Sequence, residues 1–201
     1  MLTFESEQLI EQIRPLPRQL RVAFAVACAQ RQIPNYLHKF SVDPIGDANT
    51  VVKILRNLWK GAERNIFALE RLRRDLEICE ELVTYYEHAR REGNEYPEDA
   101  VSSLAYALDT VFSHGAQEAM WAASRARDAL FAYITERFDL DAGTQHGRSL
   151  INSFSIMQAE LARQQADLTE LHAAVKHPGS EAAVINKIKR RAERDAASFF
   201  G

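Results

Sequence analysis

LRVAFAVACAQRQIPNY, residues 20–36, decides the fold class. Val22, Ala23, Phe24, Ala25, Val26, Ala27, Cys28 and Ala29 follow one another without a polar residue. No single amphipathic face holds so many, so they describe a helix surrounded by protein. Gln30, Arg31 and Gln32 are expected to return the chain to water. Pro34 lacks the N–H that a further turn needs, which predicts a helix end near Ile33.

Composition points the same way. The 201 residues are 46% hydrophobic and 26% charged, which excludes a disordered chain, and 8 Gly with 6 Pro are too few for the turns of a sheet-rich fold. The expectation is an all-α chain: one domain over residues 1–201, a bundle of about seven helices, two of them long and amphipathic. The longest apolar run falls short of the roughly 20 residues of a membrane span. The opening MLTFESEQL carries acids where a secretory signal carries Lys or Arg. A cytoplasmic protein without a membrane segment is therefore expected. Cys28 and Cys79, each in an apolar helical pattern, read as buried free thiols rather than a disulfide. A net charge of −3 argues against a dedicated nucleic-acid binder.

Outward from the opening stretch, a short helix is expected over residues 7–13 and a polar connector after Pro34, with turn signals at Asp43-Pro44 and Gly46-Asp47. Val51, Val52, Leu55, Leu58 and Trp59 then line one helical face up to Gly61, with Trp59 as a core anchor. Residues 62–91 read as one long amphipathic helix whose seam is Leu69, Leu72, Leu76, Cys79, Val83 and Tyr86, stopped by Gly93 and Asn94. Pro97, Glu98 and Asp99 open the next helix. Ala119, Ala122, Ala123, Ala126 and Ala129 give the helix at 117–138 a small-sided surface suited to close approach.

The strongest periodicity runs through Leu150, Phe154, Met157, Leu161, Gln164, Leu168, Leu171 and Val175, in steps of four and three with one polar interruption. Ser149 is the expected cap of this second long helix. Its stripe predicts a partner helix: either the Leu69 to Tyr86 seam or a second copy of the chain. A last helix follows Ser180 and closes in Phe199 and Phe200, expected to dock on the body or on a neighbouring subunit.

Motifs for chemistry are sparse. None of the six histidines has Glu three residues before it, which removes a carboxylate-bridged di-metal centre of the helical-bundle type. Nucleotide-binding Gly loops, Cys-x-x-Cys pairs and Gly-x-Ser-x-Gly elbows do not occur. Asp139, Asp141 and Gly143 resemble the start of a calcium loop, but Thr144 and Leu150 stand where its Gly and Glu belong. No metal and no cofactor are expected. His114 and Glu118, four apart, are expected to share a helical face, first as a solvent-facing hydrogen-bonded pair and otherwise as a metal or proton-transfer pair. Lys187, Lys189, Arg190, Arg191 and Arg194 crowd the last helix into a basic patch, read first as a solvated face and otherwise as a contact for an acidic protein or nucleic acid.

AFAVACAQRQIPNYLHKF, followed by GDANTVVKILRNLW, resembles the signature of the DUF416, or YjaG-like, family of small bacterial proteins. The matching positions are Phe24, Cys28, Arg31, Pro34, Asn35, Tyr36, Phe40, Gly46, Leu55, Leu58 and Trp59. Tyr96, Pro97, Asp99 and Ala100 resemble a later Tyr-Pro-x-x-Asp-Ala stretch, with one residue missing between Pro97 and Asp99. The resemblance implies a helical fold and supplies no reaction. It marks Arg31, Asn35 and Tyr36 at the helix exit, where Arg31 pairs with a carboxylate, Asn35 caps backbone and Tyr36 pins the loop. These three, with Asp99, His114 and Glu118, form the candidate ligand or partner surface.

Three functions follow in order. The first is a non-enzymatic protein-interaction or self-associating module, possible as a homodimer through its apolar seams. The second is a small-ligand binder or enzyme using Arg31, Tyr36, Asp99 and His114. The third is nucleic-acid contact through the basic last helix.

Overall fold

The computed structural model describes residues 1–42, 46–90 and 96–197. Among these it contains nine α-helices and no strand: α1 Ser6–Ile13, α2 Arg18–Val42, α3 Ala48–Arg64, α4 Leu69–Arg90, α5 Tyr96–Phe112, α6 Gln117–Arg137, α7 Gln145–Ser153, α8 Ser155–Lys176 and α9 Glu181–Ala197. The all-α expectation holds, with two more helices than the seven expected. Asp43-Pro44, Gly93, Asn94, Phe199 and Phe200 lie outside the described residues.

The opening stretch forms the centre of the molecule. Every residue from Val22 to Ala29 is fully buried, because α2 is enclosed by α3, α5, α6, α8 and α9. The helix does not end at Ile33. It runs through Pro34 to Val42, since packing around a central helix outweighs the roughly 3 kcal/mol that an internal proline costs. Arg31 and Gln32 do not return to water either, being 1% and 0% exposed, and Gln30 is half-buried. Tyr36, one turn beyond, is fully buried and meets the Tyr86 ring edge to face at 6.2 Å.

Helix α3 continues through Gly61 to Arg64 and ends on left-handed Asn65, so the long helix expected over 62–91 is divided. Gly61 is required by packing: a Cβ there would lie 2.7 Å from the Phe67 ring, which folds back over it. Trp59 is an anchor as expected, 1% exposed, its Nε1 donating to Gln30 Oε1 at 3.2 Å. Most of the α4 seam faces inward: Leu72, Cys79 and Tyr86 are buried, as is Leu82 outside the expected seam, where α4 packs on α5, while Leu76 and Val83 are half-buried and Leu69 at the helix start is exposed. The alanine face of α6 is buried throughout, and Ser103 of α5 reaches the Ala122 carbonyl at 2.9 Å, a measure of how closely small side chains let the two backbones approach.

The Leu150 to Val175 stripe is split by a break at Phe154. Thr144 rather than Ser149 is the cap, accepting from the Gly147 N–H at 3.0 Å and opening α7; Ser149 lies inside that helix. From Met157 to Leu171 the stripe is covered within one chain, by α6, α9 and α2 rather than by the α4 seam. A smaller apolar cluster of Leu130, Ile134, Ile151, Met157 and Leu161 joins α6, α7 and α8 beside the main core.

Candidate functional site

Arg31 sits at the end of the all-apolar run of α2, and burial alone would press its guanidinium toward neutrality. Two carboxylates of α8 reverse that. Glu160 takes it bidentately, at 2.9 Å to Nε and 3.0 Å to the outer nitrogen. Asp167 accepts from the other outer nitrogen at 2.9 Å. Burial is the largest influence on this arginine, yet Glu160 and Asp167 together hold its pKa well above the ordinary value. Glu160 and Asp167 are themselves fully buried.

The chain of charge continues outward. Asp167 accepts a second arginine, Arg191 of α9, at 2.5 Å; Arg191 also holds Glu170 at 2.6 Å, and Lys187 closes on Glu170 at 3.2 Å. Three acids alternate with three bases from the middle of the core to the surface. Gln164, the polar interruption of the α8 stripe, donates to Glu160 at 3.0 Å and to the Ala123 carbonyl at 3.2 Å, which ties α6 into the same network. Cys28 lies 3.5 Å from the Arg31 guanidinium. Burial nevertheless pushes its thiol far up, against the pull of Arg31, so the pair makes no reactive thiolate.

The other expected site residues stand in different surroundings. Asp99, at the start of α5, is bound by Arg125 of α6 at 3.1 Å; burial raises its carboxyl to about 6 in spite of that arginine. Tyr36 packs on Tyr86 and its hydroxyl faces Gly46, and burial pushes it up to about 12. His114 is exposed in the turn between α5 and α6, and so does not share a helical face with Glu118, which is half-buried in the first turn of α6. The side chain of Asn35 lies outside the described residues. Arg31 thus pairs with carboxylates as expected, but its partners are Glu160 and Asp167 rather than anything near Asp99 or His114. Among the described residues no three His, Cys, Asp or Glu side chains gather as a metal site.

The basic patch on α9 divides: Lys189 and Arg191 are half-buried in ion pairs, whereas Lys187, Arg190 and Arg194 are exposed. Arg191 and Lys187 belong to the network, Lys189 binds Glu63 of α3 at 2.9 Å, and Arg190 Nε bonds the Asn186 carbonyl of its own helix.

A second basic feature escapes a reading by patch. Lys53, Arg56, Lys60 and Arg64 succeed one another at steps of three, four and four along α3, all four exposed, which places them in one row on its outer face. Arg71 of α4 flanks one side of the row, across a groove with Asn49 and Asn57 whose lining holds no acid. On the other side, an apolar groove runs between α3 and the α2 and α9 helices, floored by Pro34, Leu37 and Val52 and bordered by Arg56, Lys60 and Lys189. The spacing is present in the sequence, but it is interleaved with the apolar face of α3 and dispersed over twelve residues, so no basic run announces it.

Comparison with solved structures finds the same fold in the crystal structure of a DUF416 family protein from Shewanella baltica OS155, with a TM-score of 0.75, 18% identity, and 92% of this chain aligned with 93% of that one. No curated protein matches the chain. The model of the family described as "Protein of unknown function (DUF416)" matches residues 8–201, and with that span covered the chain belongs to the DUF416 family.

Proposed function

We propose that this chain is a non-enzymatic interaction protein that engages an acidic partner through the outer face of α3. One observation carries the reading: four exposed cations in register on a single helix, in a chain whose net charge is −3. They stand in a row with open grooves on both sides, where they attract anions and speed encounter.

Two features weigh against the other readings. The middle of each apolar seam that suggested self-association, Leu72 to Tyr86 and Met157 to Leu171, packs within one chain, so a homodimer forms no part of this proposal. The buried arginine network is neutralised by its own acids, and Tyr36, Asp99 and His114 have separate neighbours, so these expected site residues do not converge among the described residues. The same reading keeps a single domain over residues 1–201 and a cytoplasmic location, in keeping with two buried free thiols.

Fluorescence anisotropy with labelled poly-L-glutamate tests the proposal. The wild type binds at low salt and weakens as salt rises. A variant carrying Lys53→Glu, Arg56→Glu and Lys60→Glu loses at least about tenfold in affinity while keeping its helical circular dichroism. Equal binding by the two proteins, or no binding by either, overturns it.

A further inference from the structure

The two grooves beside α3 differ in a way that selects the partner's chemistry. Toward α4 the lining side chains are Asn and basic residues apart from Val52, which the two grooves share. Toward α2 and α9 the floor is apolar: Leu37, 36% exposed, stands on it, with half-buried Pro34 and Val52 beside it. Cations border this floor on both sides, Arg56 and Lys60 from α3 and Lys189 from α9, with Glu193 as the one acid in the lining. Nothing of the chain lies across it among the described residues.

We infer that this groove receives an acidic amphipathic helix from a partner protein, a reading that rests on the cationic face proposed above and gives it an occupant. Helix-in-groove recognition calls for an apolar floor that takes side chains at steps of three and four, and for rims that match the charges beside them. Pro34, Leu37 and Val52 supply the apolar floor, and Arg56, Lys60 and Lys189 the cationic rims. A nucleic acid uses only half of such a site, because phosphates gain nothing from Leu37 and Val52 and no aromatic face lies open for base stacking. Trp59, the one aromatic residue in the lining, is 1% exposed and bonded to Gln30.

The partner helix presents apolar residues at i, i+3 or i+4 and i+7 toward the floor, with Glu or Asp on both flanks. Lys189 is already bonded to Glu63, so Arg56 and Lys60 carry most of the attraction and Lys189 sets the far rim.

The test uses three fluorescein-labelled probes: a synthetic helix of about 18 residues with Leu on one face and Glu on the others, a scrambled peptide of the same composition, and an oligothymidylate of equal charge. The patterned helix binds at least about tenfold tighter than the scrambled one. Leu37→Ser, at an exposed position, removes that preference without altering the melting temperature or the affinity for poly-L-glutamate. Arg56→Glu with Lys60→Glu abolishes binding of both peptides. If patterned and scrambled peptides bind alike while poly-L-glutamate still binds, the inference falls and the cationic face stands. Tighter binding of oligothymidylate overturns the inference in favour of nucleic acid. Concentration-dependent dimers in analytical ultracentrifugation, dissolved by Arg56→Glu with Lys60→Glu, overturn it in favour of a second copy.

Discussion

Arg31 and Glu160 are 129 positions apart in the chain and meet as a two-pronged ion pair with 1% and 0% of their side chains exposed. Such a pair gives little net stability over an apolar replacement of both partners, because desolvation of the two charges offsets their attraction. Removal of one partner alone leaves an uncompensated charge in the core. The distinction gives the first prediction. Arg31→Leu lowers unfolding free energy by about 3–5 kcal/mol, and Arg31→Lys fails to restore it because an ammonium cannot serve Glu160 bidentately and Asp167 at once. Arg191→Leu costs less, since Asp167 keeps Arg31. Urea denaturation orders the three; a loss for Arg191→Leu as large as for Arg31→Leu would refute the ranking.

The pH dependence follows from Asp99. Its folded-state pKa of about 6 lies above the ordinary value of 3.8, because burial outweighs the attraction of Arg125 while Asp128 and Glu98 add repulsion. Between those values the folded chain holds a proton that the unfolded chain has released, so this residue's contribution to stability grows as pH falls from 7 toward 4 and is lost as pH rises through 6. Asp99→Asn has no such titration. The wild type should therefore gain about 2 kcal/mol relative to Asp99→Asn between pH 7.5 and pH 4.5, measured as the difference between their melting curves. A constant difference would refute it.

Gly147 admits no substitution. It lies in the first turn of α7, capped by Thr144, and a Cβ on it would fall 1.9 Å from the Asp141 carbonyl oxygen. That contact is with backbone and cannot be relieved by a rotamer change. Gly147→Ala should destabilise by at least about 2 kcal/mol and loosen α7, read as faster amide exchange at Ile151. Gly143→Ala, in the same loop but facing only the Asp141 side chain at 3.0 Å, should cost clearly less.

Pro34 is tolerated rather than needed by the helix. In α2 it removes one N–H from a helix that continues for two more turns. Pro34→Ala should raise stability by about 1–3 kcal/mol, the interior penalty of proline less the rigidity it lends the unfolded chain. A lowered melting temperature would show that the proline's own packing in the groove matters more.

Both thiols should resist modification. Cys28 and Cys79 are fully buried and free, and burial raises each well above the ordinary thiol range. Reaction with an aromatic disulfide reagent should wait for global unfolding and follow the denaturation curve. Rapid labelling of the native protein would contradict this.

How far the sequence could be read depended on whether a signal was local. The apolar run of α2, the α4 seam and the alanine face of α6 are legible because periodicity reports burial directly. The path through Pro34 was not, since the packing that overrides a proline comes from helices distant in sequence. The polar network was hidden for a related reason. Glu160 and Asp167 sit at steps of four and three around Gln164, the same spacing as the apolar stripe beside them, but acids on a helix read by default as its wet face. Only Gln164 stood out, as an interruption, and it is a member of the network. Arg31 was marked through the family resemblance and its pairing with carboxylates was expected; which carboxylates depended on the third dimension.

The alternating charges from Arg31 to Lys187 also set an order of assembly during synthesis. Helix α2 leaves the ribosome long before α8 and α9, yet its guanidinium can be buried only against acids that those helices supply. A nascent chain that stops before residue 155 carries a cation with no counterion at the very point where its core must close. The last third of the polypeptide therefore supplies the counterions that the first third needs to bury Arg31.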